Sequence, residues 1–180
     1  MISIEQPAMV LNDPRVNCAY KIAITRPVSP DEGVSSILGA VVDAAKGTEE
    51  GKLKNLIFNC HGTPGFLEMG IGIGRDLADR FRVLAPEGKP LVERIYLACC
   101  LVARIDGPRT ATDGNLFCCE IAKYAKCVVV ASTAVQGTQA KVMPFGMLDR
   151  YEGTTLVYGP EGNVLSVQHN PEWSLIWSKD

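Results

Sequence analysis

The chain has 180 residues, 47% of them hydrophobic, and a formal net charge of −2, which suits one domain spanning 1–180 with a sizeable buried core. That balance leaves no basic footprint for nucleic acid and no acidic tail, and no window approaches the length of a membrane span. Met1-Ile-Ser-Ile-Glu-Gln-Pro7 lacks a charged leader ahead of an apolar stretch, so the expectation is a soluble cytoplasmic protein without nucleic-acid or membrane partners.

Apolar strands alternate with helical segments along the chain. Residues 19–25, Ala-Tyr-Lys-Ile-Ala-Ile-Thr, read as a short strand. Ser29-Pro30-Asp31-Glu32 then reads as a capping box with proline at the first helical position. Val34, Ile37, Leu38, Val41, Val42 and Ala45 recur at helical spacing, and Gly47 supplies the stop. A polar turn at 47–51 leads into a strand over 53–60, continuous enough to be buried on both faces of a parallel sheet.

Residues 65–74 read as a glycine-punctuated hairpin, and 75–84 as a helix with Leu77, Phe81 and Leu84 on one face and Pro86 beyond its end. A third strand covers 91–98, a polar loop 103–112, a helix 113–125 and a fourth strand 127–132. Segments 154–158 and 164–168 flank Gly159-Pro-Glu-Gly-Asn163 as a hairpin. This order predicts a three-layer α/β/α domain with right-handed crossovers, a mostly parallel sheet, a core at about 19–133 and a C-terminal hairpin and tail over 134–180.

Seven cysteines are an odd number, and two pairs, Cys99-Cys100 and Cys118-Cys119, are adjacent rather than spaced for bridges, which argues for reduced thiols. No Cys-x-x-Cys occurs, and the histidines are His61 and His169, so no zinc site is expected. Gly70-x-Gly72-x-Gly74 lacks the spacing and the Lys-Ser/Thr of a phosphate loop, and no cofactor is expected.

Two of the strands end in reactive residues. Leu56-Ile-Phe-Asn-Cys-His-Gly62 delivers His61, and Ile95-Tyr-Leu-Ala-Cys-Cys100 delivers two thiols. Ligands bind outside the carboxyl ends of strands in open α/β sheets, so a base and a thiol meet where a site is expected.

A strand ending in Cys60-His61-Gly62, a helix, and a strand ending in Leu97-Ala98-Cys99-Cys100, with a further helix and strand behind, resemble the caspase-like cysteine peptidases. A bacterial branch of that superfamily, the CHAT-like and toxin-associated domains, is closer still. It is matched by His61-Gly-Thr-Pro-Gly-Phe-Leu67, Cys100-Leu-Val-Ala103, Gly114-Asn-Leu-Phe-Cys-Cys-Glu-Ile-Ala122 and Val128-Val-Val-Ala-Ser-Thr133. The resemblance covers about 20–133, with His61 and Cys100 39 residues apart.

The resemblance implies an endopeptidase and leaves open self-processing and delivery as an effector or toxin component. Its cysteine attacks a scissile carbonyl, His61 manages the proton, and the N–H groups of Gly62 and of the nucleophile hold the oxyanion. No third side chain is demanded. Family motifs of the form apolar-x-small-Cys favour Cys100 as the nucleophile, whereas an Ala-Cys dipeptide would select Cys99; an extended strand turns only one of the two toward His61. The resemblance also implies a substrate pocket from loops 101–112 and 133–150. Arg104, Asp106, Arg109 and Gln136 are candidates there, with Gln139, Lys141, Asp149 and Arg150 nearby, and the mixed signs leave the preferred side chain open. Activation by dimerisation or a small molecule is common in such domains, so a homodimer is open and no residue identifies an activator.

Plain packing accounts for Cys18, Cys60, Cys118, Cys119 and Cys127, and His169 reads as a surface residue. Trp173 and Trp177 read as pins for the C-terminus. Two other functions compete with the peptidase: a catalytically silent interaction module of the same fold, and a different α/β hydrolase or transferase with a cysteine nucleophile.

Overall fold

A computed structural model describes residues 1–137 and 143–170. In chain order its elements are β1 (Ile2–Ser3), β2 (Ala8–Asn12), β3 (Ile24–Pro27), α1 (Val34–Lys46), β4 (Leu53–Asn59), β5 (His61–Thr63), β6 (Phe66–Glu68) and β7 (Ile73–Gly74). There follow 3-10 segments at Arg75–Leu84 and Pro86–Gly88, then β8 (Val92–Ala98), α2 (Gly114–Ala125), β9 (Val128–Ser132), β10 (Met147–Leu148), β11 (Gly153–Tyr158) and β12 (Val164–Asn170).

Seven strands form one mixed sheet in the order β12-β11-β9-β8-β4-β2-β3. Pairings from β3 through β9 are parallel, and β9-β11 and β11-β12 are antiparallel. The C-terminal hairpin thus belongs to the main sheet, as an antiparallel flank on a parallel centre. β5, β6 and β7 make a small antiparallel sheet, and β1 pairs with β10.

The strands at the centre are those whose sequences are apolar at successive positions. In β4, Leu53 and all of 55–59 are buried, because neighbours on both sides and both faces leave no solvent side. Alternation then sorts the side chains. Met9, Leu11, Leu56, Phe58, Ile95, Leu97, Val129 and Ala131 join α1, α2 and the 75–84 segment in one cluster. Val10, Ile57, Tyr96 and Val130 point the other way, where Ile4, Cys18, Tyr20, Ile22, Met143, Leu148 and Tyr151 cover them. The expected third layer is therefore corrected: among the described residues all helices lie on one face, and non-helical segments cover the other.

Several local expectations change. The strand over 19–25 is displaced to Ile24–Pro27, and an additional strand, β2, lies beside β4 and ahead of the expected core. The capping box does not form. Ser29–Glu32 is a turn closed by the Glu32 N–H to the Ser29 carbonyl, and Gly33 is the N-cap of α1. Glu32 instead receives Arg26 at 2.5 Å and Ser36 at 2.6 Å, so its carboxylate is engaged elsewhere. Residues 75–84 are 3-10 rather than α, with Ala78, Phe81 and Leu84 buried and Leu77 half-buried. The glycine-rich hairpin begins earlier than read, at His61 itself. Trp173 and Trp177 lie outside the described residues.

Candidate active site

Parallel register brings the two reactive segments to one level. β4 and β8 pair with Phe58 opposite Leu97 and Asn59 opposite Ala98, so both strands end together. Cys60-His61 and Cys99-Cys100 are the next residues on each. Cys60 and Cys99 turn into the helix-covered core, whereas Cys100 is half-buried.

The first strand then leaves the sheet. His61 opens β5, which folds back on β6 with His61 opposite Glu68 and Gly62 opposite Leu67. The turn-away runs directly over the second strand's end: a Cβ on Gly62 would sit 2.9 Å from the Cys100 carbonyl oxygen and 3.1 Å from the Cys99 Cβ. Glycine after His61 is therefore a requirement of close backbone approach, and not of a positive φ.

The loops that close the site are held by side-chain amides. Asn12 and Asn59 are register partners at the ends of β2 and β4. Asn59 Nδ2 donates to Asn12 Oδ1 at 2.8 Å and to the Cys18 carbonyl at 2.7 Å, while Asn12 receives the Tyr20 N–H at 3.1 Å and donates to its carbonyl at 2.9 Å. This buried network ties the 13–22 loop to the strand ends. Opposite, Gln136 Nε2 donates to the carbonyls of Ala134 at 3.0 Å and Glu152 at 3.3 Å, and its Oε1 accepts the Glu152 N–H at 3.0 Å.

Between these walls lies a cavity of about 210 Å³ lined by His61, Cys99, Cys100 and Gln136, among others. The Gln136 N–H donates to Cys100 Sγ at 3.3 Å, which orients the sulfur. Leu101, the next residue, adopts φ 57°, a left-handed conformation that costs a branched side chain about 1 kcal/mol and turns the chain sharply behind the thiol.

His61 is exposed, and its Nε2 lies 3.1 Å from the Arg15 carbonyl. A carbonyl only accepts, so Nε2 carries a hydrogen and Nδ1 is the acceptor of the neutral ring. Arg15 also grips the hairpin that bears the histidine: Nη2 donates to the carbonyls of Glu68 at 2.7 Å and Gly70 at 2.9 Å. Its Nε and Nη2 meet both oxygens of Asp13 at 2.7 and 2.5 Å. Burial pulls the Asp13 carboxyl up, but the hydrogen bonds and charge of Arg15 outweigh it and hold the group below the ordinary carboxylate range.

The other thiols have different surroundings. Burial, then the adjoining Cys60, pushes the Cys99 thiol up, and Cys99 is only 2% exposed. Burial also raises Cys18, Cys118 and Cys119 and takes Cys127 to about 12, so these remain protonated thiols near neutral pH. All seven cysteines are unpaired. Among the described residues no cluster of three or more His, Cys, Asp or Glu could hold a metal ion, and no helix is long and apolar enough to cross a membrane.

The candidate pocket residues divide. Gln136 lines the cavity, but Arg104, Asp106 and Arg109 do not. Arg104 pairs with Asp106 at 2.8 Å, and the Arg109 N–H is drawn to Asp113 Oδ2 at 2.7 Å as Asp113 caps α2. These contacts fold loop 101–112 upon itself and the start of α2. Asp149 and Arg150 do line the cavity; Gln139 and Lys141 lie outside the described residues. His169 is exposed and contacts Thr154 Oγ1 at 3.0 Å.

Val16, Asn17 and Tyr151 are further lining residues that the sequence did not single out, and Tyr20, expected in a strand over 19–25, lines the cavity from a loop. The apolar run Ala8–Leu11 ending in Asn12-Asp-Pro-Arg15 is the signal that could have located the 13–20 wall. Comparisons with family models, curated proteins and solved structures find no match to this chain.

Proposed function

We propose that the protein is a cysteine endopeptidase of the caspase-like kind, with Cys100 as nucleophile and His61 as proton carrier. The observation that carries this reading is the convergence of His61 and Cys100 on one cavity at the carboxyl ends of adjacent parallel strands, with the ring's Nε2 tied to a backbone carbonyl. A ring so tied presents Nδ1 as its acceptor, the state a base needs. The half-buried position of Cys100, against the buried, up-shifted Cys99, supports Cys100 as the reacting thiol.

In this reading His61 takes the thiol proton and the sulfur attacks the scissile carbonyl carbon. A C–S bond forms and the carbonyl π electrons move to oxygen. Collapse breaks the C–N bond, the leaving amine takes the proton from His61, and water then cleaves the thioester to the acid, restoring the thiol. Gly62, against the Cys100 carbonyl, supports an oxyanion hole made by the N–H groups of residues 62 and 100. The substrate is a peptide or protein, no cofactor takes part, and unpaired cysteines suit a reducing compartment such as the cytoplasm. The resemblance extends to the order of strands, helices and reactive residues, while the single helical layer departs from the full α/β/α architecture.

The test is covalent labelling by peptidyl acyloxymethyl ketones, followed by intact mass on the native chain and on Cys99→Ala, Cys100→Ala and His61→Ala. Stoichiometric labelling should vanish only in Cys100→Ala and slow about 100-fold or more in His61→Ala. Loss only in Cys99→Ala would reverse the nucleophile. No selective labelling of the folded chain would favour the silent interaction module, and turnover of small thioesters without peptide cleavage would favour another acyl-transfer enzyme.

A further inference from the structure

Resting on the peptidase reading, we infer that the cavity beside Cys100 receives a cationic substrate side chain, a lysine or arginine, against the carboxylate of Asp149. Among the described residues that line the cavity, Asp149 supplies the one carboxylate. It sits in the segment between β10 and β11 and is half-buried, whereas Arg150 beside it is exposed. Asp149 is thus the more buried of the two charged groups that line the cavity.

The interior placement has independent support. Burial and then the Asp149 charge push the Cys18 thiol up; burial, Cys18 and Asp149 together push the Tyr20 hydroxyl up. Both groups are buried and line the same cavity, so the carboxylate lies within Coulombic reach of its floor. Asp149 accepts the Arg150 N–H at 3.0 Å and makes no ion pair among the described residues.

Size points the same way. About 210 Å³ is smaller than a site for a drug-sized ligand and matches one long side chain. Val16, Tyr20 and Tyr151 supply apolar surface for the methylene stem, and Asp149 a counter-ion for the head group. An acidic side chain would meet a like charge, and an apolar one would strip water from the carboxylate without replacing it. The exposed Arg150 opposes the incoming cation less than the half-buried Asp149 attracts it, because solvent screens an exposed charge more.

The experiment compares labelling rates of Cys100 by acyloxymethyl ketones that differ only in the terminal residue: arginine, its neutral isostere citrulline, lysine, norleucine and aspartate. Arginine is expected to react at least about tenfold faster than citrulline, and lysine than norleucine, with aspartate slowest. Asp149→Asn should bring the arginine-to-citrulline ratio to within about twofold of one, while Arg150→Gln keeps the preference. The ratio compares probes on one protein, so a general loss of folded material does not move it.

Fastest labelling by the aspartate or norleucine probe would overturn the inference and leave the peptidase reading standing. So would an arginine preference that survives Asp149→Asn. If no peptidyl probe labels the native chain although iodoacetamide alkylates Cys100, the peptidase reading fails and this inference falls with it.

Discussion

The two faces of the main sheet are built by different physics. The helix-covered face is a continuous apolar cluster from β2 across to β9, packed by α1, α2 and the 75–84 segment. The loop-covered face has fewer apolar contacts, and its covering segments are tied down by Asn12, Asn59, Gln136 and Arg15 through bonds to backbone groups. Close packing of apolar side chains leaves few voids, whereas loops held at discrete polar points can leave a cavity between them. The cavity with Cys100 lies at the strand ends beside the tied-down loops, where the buried Cys60 and Cys99 of the helix-side cluster reach its edge.

If the faces divide stability from function in this way, substitutions should separate the two. The largest stability effect is expected at Phe58, fully buried on the helix side with its ring centroid 5.9 Å from that of Phe81. Phe58→Ala should cost about 3–5 kcal/mol in urea unfolding, yet leave Cys100 labelling per folded molecule near native. A labelling loss in the folded fraction would break the division.

Asn59→Ala should cost less, about 1–3 kcal/mol, because it takes the amide donor from the Cys18 carbonyl and one of two donors from Asn12 Oδ1 without opening a large apolar void. Its effect on labelling should nevertheless exceed that of Phe58→Ala, since the 13–22 wall loses its tie. The reverse order would show that the amide network is structural only.

Arg15→Gln should slow peptidyl labelling about tenfold, equivalent to about 1.4 kcal/mol, by loosening the hairpin that carries His61. The pH profile of labelling should change as well where the loosened hairpin carries His61 off the Arg15 carbonyl, a backbone acceptor that the substitution itself leaves in place. An unchanged profile with a lower rate would assign Arg15 to scaffolding alone.

The smallest effect concerns Asp13, 1% exposed and held below the ordinary carboxylate range. A depressed folded-state value contributes stability above the unfolded value of about 3.9, and that contribution is lost as pH falls through the folded value. Urea midpoints of the native chain should therefore drop on acidification below about pH 4, and Asp13→Asn should drop less steeply over the same interval. Parallel curves would remove Asp13 from the acid response.

Much of this arrangement was legible. β4, β8 and β9 each carry an uninterrupted apolar stretch, Leu56–Phe58, Ile95–Ala98 and Val128–Ala131, α2 carries its own capping Asp113, and the terminal hairpin has its glycine-rich turn. β2 was missed although Ala8–Leu11 is an apolar run bounded by Pro7 and Asn12-Asp-Pro14, a pattern consistent with a short buried strand. Ser29-Pro-Asp-Glu32 matched a capping box, yet Arg26 from β3 recruits the glutamate and Gly33 caps the helix instead. That is a tertiary ion pair overriding a local signal.

By itself the sequence determined that His61 and the Cys99-Cys100 pair follow apolar strands, because a buried strand needs only its own continuous apolar residues to be recognised. It also distinguished adjacent thiols from bridge-spaced ones. Only the tertiary structure decided that Cys100 is the more exposed of the two thiols at the cavity, since that depends on the register of β8 against β4 and the turn at Leu101. The same holds for the Arg15 carbonyl under His61 and for Asp149 in place of Arg104, Asp106 and Arg109. Every residue carries a carbonyl and charged loops carry both signs, so chemical identity alone cannot say which groups meet; the path of the folded chain does.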